Sequence, residues 1–398
     1  LLDLPGDSHY SYYDDEGQRK TMNSKERIAK AMNREEPDFV PIMCQMSIGH
    51  MLLQTGFRPL ELWFSKDVFG EALLKLRDIY LFDGILVSLH GHSSQWMQQI
   101  LKIEKDKNQE VITWKNGDRT VFPPDDLPRH YPAHIVPKPS IEQVDPESIP
   151  ENIDFIPVSQ GLDFPIDPHH AYDIFHIIKE KVSDRFSIHG EVTSPFDYFL
   201  HLFGVKNAMM YLIENPLKST EILQKYTRGI TKIALDQAEI GVDAVKISSP
   251  YAGAGFISPE FYRKFVLPFE SQIASAISYM GTHVYIHTCG AVNDRLEMMA
   301  ESGVSGIECL DPPPIGNVRL DDAKERVGDK IFIKGNIDPI NVLLQGSEED
   351  VKRDAKRRIE VGKPGGGYIL STACSIAPYT KRENVQILIE AIEETGYY

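Results

Sequence analysis

"HVYIHTCGAV" spans residues 283–292. An apolar, β-branched run reaches His287, skips one residue, then meets Cys289 and Gly290. The run reads as a buried strand over His283–His287. A helix-patterned stretch, Pro259–Met280, precedes it and another, Asn293–Ser302, follows. Strand and helix alternating at this spacing mark a parallel βαβ unit. The same alternation runs outward in both directions. The spacing predicts strands at Val40–Met43, Gly84–Ser88, Phe186–Val192, Ala244–Ser248, His283–His287, Gly306–Leu310, Ile331–Gly335 and Gly367–Ser371. Further helical patterns lie at Val68–Leu81, Ala171–Lys181, Asn207–Ile240, Glu348–Val361 and Arg382–Glu394. Ser258-Pro259 is an N-cap followed by Pro at the first helical position, and Ser347 precedes a Glu-rich first turn. Eight such units predict an α/β chain folded as a closed (β/α)8 TIM barrel. An open doubly wound sheet is the alternative. No G-x-G-x-x-G opens a helix after a strand, so a dinucleotide site has no support. The glycines of "KPGGGY" (363–368) enter a strand rather than leave one, and read as a turn.

Composition narrows the function. The 398 residues carry a net charge of −16, which argues against general nucleic-acid binding. No apolar run approaches the roughly 18 residues of a membrane span. The opening segment, "LLDLPGDSHYSYYDDEGQRK", lacks the basic and apolar regions of a signal peptide. It also lacks a starting Met, so some residues are expected to precede it. Residues 1–22 are expected to form an N-terminal arm, and 23–398 a single barrel. Four cysteines in a chain this long are no disulfide framework, which suits a reducing cytoplasm.

Residues 90–170 break the alternation. "IEKDKNQEVITWKNGDRTVF" holds short strand-like runs around Asn116-Gly117, a strong hairpin signal, and a Pro-rich stretch follows. The region reads as an insertion after the second strand. In a barrel that loop lies at the catalytic mouth, where it serves as a lid or a partner surface.

Side chains at i and i+2 of a strand share a face, so His287 and Cys289 point together at the C-terminal end of the fifth strand. An imidazole and a thiolate there are half of a zinc site. Cys374, just past the eighth strand in "YILSTACS", is the natural third ligand. Three ligands and an open fourth position describe a catalytic zinc. Two alternatives stay open: a closed structural site with Cys309 as fourth ligand, and no metal at all. Glu191 and Glu308 are candidates to orient a ligand or serve as one. Lys246 and Lys334 read as structural ion pairs, Cys44 and Cys309 as packed thiols. His90, His92, His189 and His283 read as neutral or surface histidines.

From about Asn23 onward the chain resembles the uroporphyrinogen decarboxylase superfamily. The stretches that carry the likeness are "NSKERIAKAMNREEPDFVPI" (23–42), "GVDAVKISSPYAGAGFISPEFYRKFVLP" (241–268), "GNIDP" (335–339) and "ACSIAPYTKRENVQILIEAI" (373–392). The resemblance implies a (β/α)8 barrel. It also points to Tyr198 and Asp338 as polar mouth residues. The decarboxylases carry an arginine-rich motif after the first strand that holds the substrate carboxylates. Here "CQMSIGH" (44–50) has no arginine, and Cys374 stands where the decarboxylases have histidine. His287, Cys289 and Cys374 match instead the zinc ligands of the corrinoid-dependent methyltransferases, including the branch that methylates coenzyme M. The segment 307–338 is similar to bacterial members linked to demethylation of methoxylated or methylated compounds. The resemblance thus implies zinc, a cobalamin (corrinoid) brought by a separate binding protein, and a small-molecule methyl donor or thiol acceptor. The direction of transfer and the fourth zinc ligand stay open.

Overall fold

The computed structural model describes residues 22–89, 91, 96–106, 109–158 and 162–398. The expected arm, apart from Met22, and His90 and His92 lie outside the described residues. Thirteen strands are formed among the described residues: β1 (Gly84–Val87), β2 (Ile100–Lys105), β3 (Glu110–Trp114), β4 (Arg119–Phe122), β5 (Arg129–Tyr131), β6 (Phe155–Val158), β7 (Leu162–Pro165), β8 (Ser187–Thr193), β9 (Ala244–Ser248), β10 (His283–Thr288), β11 (Gly306–Cys309), β12 (Phe332–Ile337) and β13 (Tyr368–Thr372). Seven of them make one curled parallel sheet in the order β1-β8-β9-β10-β11-β12-β13. Helices such as Pro216–Ile240, Leu267–Tyr279, Glu348–Gly362 and Arg382–Thr395 alternate with these strands. Ser258 and Ser347 cap helix starts as expected, accepting from the backbone N–H of Phe261 and Asp350.

The expected first strand, Val40–Met43, departs from the pattern. It fills the gap between β13 and β1 without a regular ladder. Ile42 makes an isolated parallel bridge to Leu370, with Leu370 N–H donating to Pro41 at 2.8 Å and Met43 N–H to Leu370 at 3.1 Å. On the other side, Asp83 N–H donates to the Ile42 carbonyl at 2.8 Å. Pro41 has no N–H to give, and the Ile42 N–H goes to the Asp83 carboxylate at 2.9 Å. The ladder therefore fails on that side while the sheet still curls round, and the fold is TIM-barrel-like.

Helix Ser24–Met32 seals the N-terminal end. Its Ile28, Ala31 and Met32 pack with Met43, Leu86, Ala244, Tyr285, Phe332 and Ile369 inside the sheet. Arg27, buried beside this plug, is neutralised by Asp38 at 2.7 Å and Asp83 at 2.6 Å. The lower interior is thus closed and largely apolar, which leaves the C-terminal end for chemistry.

The segment between β1 and β8 has its own layers. β2 to β5 form an antiparallel sheet, and Asn116-Gly117 turns the chain between β3 and β4 with Gly117 at φ +90°. β6 and β7 are a second hairpin. Apolar contact ties this layer to the barrel: Phe64, on helix Pro59–Phe64, stacks on Trp96 at 4.0 Å and tilts against Phe122 at 5.6 Å. Among the described residues, no helix is long and apolar enough to cross a membrane.

Candidate functional site

Parallel register builds the upper interior. It sets Glu191 of β8 beside Lys246 of β9, His287 of β10 beside Glu308 of β11, and Glu308 beside Lys334 of β12. All five side chains are largely or wholly buried. Lys246 lies 3.1 Å from Glu191 and 3.7 Å from Glu308, and donates to Gln45 at 2.7 Å. Lys334 is paired with Glu308. Two lysines balance two glutamates, as buried charge requires. The structural ion pairs expected of the two lysines are therefore present, and they form the floor of the site.

Above that floor the three soft donors meet. One ligand atom each from His287, Cys289 and Cys374 lies within 4.8 Å of the others. His287 Nε2 is 3.3 Å from Cys289 Sγ, and the two sulfurs are 3.9 Å apart. His287 Nδ1 is 2.8 Å from Glu308 Oε2. Glu308 thus fixes the ring with Nε2 facing the sulfurs, the arrangement that orients a metal-binding histidine. Gly290, at φ +78°, turns the chain away directly after Cys289 and donates its N–H to Asp311 at 2.6 Å.

The protonation pattern follows from these contacts. Burial opposes charge on His287, yet the Cys289 sulfur, with Cys374 and Glu308, holds its pKa well above the ordinary value. Burial would lift Glu308, but Lys334 and Lys246 outweigh it and hold its pKa far below the usual range. The Cys289 thiol is pushed up by its contact with Cys309 and the Cys374 thiol by its contact with Cys289, with burial adding to each. A bound dication reverses this state, since coordination deprotonates thiols and takes the neutral imidazole. Two thiols, one imidazole and a carboxylate behind it fit zinc by donor chemistry.

Cys309 does not join this set. It groups instead with Cys289 and Asp311, as a second cluster sharing one thiol, and burial raises its pKa to about 12. Cys44 is a packed thiol raised by burial to about 11. His189 sits between Tyr285 and Ser187 hydroxyls, each 3.1 Å away, and burial holds it neutral. Two expected mouth residues are placed elsewhere. Tyr198 is buried and spends its hydroxyl on the Phe155 carbonyl at 2.7 Å, tying helix Pro195–Phe203 to β6. Asp338 caps the following turn through the Ile340 and Asn341 N–H groups, both at 2.8 Å, and borders a separate cleft that Pro312, Arg319 and Arg358 also line. Their side chains satisfy local backbone groups, so neither reaches the donor cluster.

A cavity of about 570 Å³ opens at the mouth. Ser375, next to Cys374, and Ser248, in register with His287, line it together with Glu191, Thr193 and Asp197. The segment between β1 and β8 supplies Leu127, Lys138 and Ile156 to the same wall. No arginine is among the described lining residues. Asp197, Gln45 and Asp311 escape sequence reasoning. A Ser-Pro-x-Asp helix start reads as a cap, and only the fold turns Asp197 to the cavity.

Fold and site together define a barrel protein whose mouth carries a cluster of soft donors above a buried charge network. The chain belongs to the Uroporphyrinogen decarboxylase (URO-D) family, whose pattern matches residues 144–395. It is 30% identical over 222 residues to the methylcobamide:CoM methyltransferase MtaA of Methanosarcina barkeri, covering 56% of this chain and 62% of that protein. It is 25% identical over 236 residues to the uroporphyrinogen decarboxylase of Chlorobaculum parvum, covering 56% and 64%. The chain thus spans about three-fifths of the length of the curated relatives it matches. A solved methyltransferase from Methanosarcina mazei superposes with a TM-score of 0.68 at 23% identity, over 94% of this chain and 99% of that one. That likeness supports the fold.

Proposed function

We propose that this chain is a zinc-dependent methyltransferase that moves a methyl group between a corrinoid, carried by a separate protein, and a small molecule. The convergence of His287, Cys289 and Cys374 at the barrel mouth, with Glu308 behind the histidine, carries this reading. Similarity to a protein named as a methylcobamide:CoM methyltransferase supports it. Zinc held by these residues supplies a Lewis acid that stabilises a thiolate or polarises an ether oxygen. The remaining work belongs to the chain. Glu308 holds the His287 tautomer, and Lys246 and Lys334 keep Glu308 ionised. The cavity is in the size range of small-ligand pockets, roughly 300–1,000 Å³, so the small substrate enters and the corrinoid macrocycle meets it at the rim.

A decarboxylase of the family's namesake type is the rival. Its substrate carries many carboxylates, which arginine clamps best, and the described lining offers none. Elemental analysis and corrinoid spectra decide between them. The purified protein should hold about one zinc per chain. Zinc chelation should stop the spectral change between methylcobalamin and cob(I)alamin, and returned zinc should restore it. Absence of any transition metal, together with conversion of uroporphyrinogen to coproporphyrinogen, overturns the proposal.

A further inference from the structure

Three largely buried carboxylic acids line or underlie the cavity, apart from the more exposed Asp126, and they differ in one respect. Glu191 and Glu308 are each paired with a buried lysine. Asp197 has no cation within ion-pairing distance among the described residues, although only 6% of it is exposed. Its one side-chain partner there is the Ser194 hydroxyl, which donates to Oδ2 at 2.5 Å while accepting the Asp197 N–H at 3.1 Å. The residue lines the cavity, which puts its carboxyl within reach of a ligand. Two titratable groups on neighbouring elements bear on it: Glu270, on helix Leu267–Tyr279, and His287, at the end of β10. On its own helix, His201 lines the same cavity and is engaged by Asp163 at 2.9 Å.

An unpaired buried carboxyl stays protonated. Burial raises the Asp197 pKa to about 8, with a smaller contribution from Glu270, a carboxyl that burial itself lifts to about 7. At neutral pH the cavity therefore contains a carboxylic acid able to donate a proton, as other buried acids do in acid catalysis.

We propose that Asp197 is the general acid that protonates a departing oxygen, and that the methyl donor is accordingly a methyl ether. This rests on the methyltransferase reading above. The carbon–oxygen bond of the methoxy group breaks, and its electron pair stays on oxygen. The cob(I) corrinoid of the partner supplies the pair for the new carbon–cobalt bond and becomes methyl-cobalt(III). The oxygen takes the Asp197 proton and leaves as a neutral alcohol or phenol. Asp197, now a carboxylate, regains its proton from solvent through the mouth. The opposite direction has no use for this acid, because a thiol acceptor must lose a proton. A sulfur leaving group needs no protonation either, since a thiolate departs unaided.

The test uses a series of methyl aryl ethers of increasing phenol acidity, with cob(I)alamin and zinc-loaded protein. Asp197→Asn keeps the volume and a hydrogen-bond donor but has no proton to give. It should lose about 10²-fold or more on an unactivated methoxyphenol. On a nitro-substituted ether, whose phenolate leaves without help, it should approach the unmodified protein. Independently of turnover, infrared difference spectra between the two proteins should show a neutral carboxylic acid band at neutral pH, with or without zinc. Asp197→Ser serves as a second variant should the Asn form fail to fold. Equal losses across the ether series, or no acid band, overturn the assignment. If the unmodified protein demethylates no ether yet methylates a thiol from methylcobalamin, the methyltransferase reading stands and this inference falls. If neither reaction changes the cobalt spectrum, both fall.

Discussion

Glu308 joins the donor cluster to the charge network, and its removal separates structural from metal-binding roles. In Glu308→Gln the side chain keeps its length and can still accept from His287 Nδ1, now 2.8 Å from Oε2, but the charge is gone. Loss of a carboxylate behind a metal-binding histidine costs about 10- to 100-fold in affinity, or ~1.4–2.7 kcal/mol. Stability suffers separately. The Lys334 side chain is 0% exposed and Glu308 is its ion-pair partner. Leaving one buried charge without its partner costs about 3–5 kcal/mol. Lys246 is less affected, because Glu191 remains 3.1 Å away. Adding Lys334→Met removes the stranded cation, so the double variant should recover most of the stability and none of the zinc affinity. Zinc affinity is read by competition with a chromophoric chelator, and stability by chemical denaturation of the metal-free proteins. If Glu308→Gln binds zinc as tightly as the unmodified protein while losing stability, the carboxylate only balances the lysines. If the double variant recovers both, the histidine is not oriented by Glu308.

Two further outcomes follow from the same geometry. Cys374→Ala should lose zinc and methyl transfer while its far-UV circular dichroism and melting temperature stay close to those of the parent, because the cluster sits at the mouth rather than in the apolar plug; melting far below the parent would mark a structural zinc site instead. Asp197 titrates with a raised folded pKa of about 8 against an ordinary 3.8, so the folded state binds the extra proton between those values. Its contribution to stability is fully present below the ordinary pKa and is lost as pH rises through about 8. Asp197→Asn should therefore gain melting temperature relative to the parent as pH climbs across that window, and a difference that is flat with pH would contradict a protonated Asp197.

What the sequence reveals about this site depends on how local each cause is. His287 and Cys289 are legible together because two-residue spacing on a strand needs no knowledge of its neighbours. Cys374 follows once the last strand is placed, since every parallel strand delivers its C-terminal end to the same mouth. Glu308 is recognisable as a strand-end acid, but its purpose depends on register: only the pairing of β10 with β11 sets it beside His287. Lys246 and Lys334 are visible as charges within strands, while their placement under the donor cluster is a property of the curled sheet. Tyr198 and Asp338 fail for the complementary reason. Each is a polar side chain near a strand end, and each is satisfied by backbone close at hand, a contact that spacing does not report. Val40–Met43 belongs with them. Its apolar run marks the right place in the barrel, yet Pro41 has no N–H to offer a ladder and the Asp83 carboxylate takes the N–H of Ile42. Asp197 is the instructive case. The residue reads as an ordinary cap, and nothing in its neighbours along the chain signals a missing cation. Its acidity arises from what the fold withholds, a lysine beside it, while granting one each to Glu191 and Glu308. A site that must hold one carboxyl charged to orient a ligand and another neutral to give up a proton needs that asymmetry, and tertiary placement is where it is written.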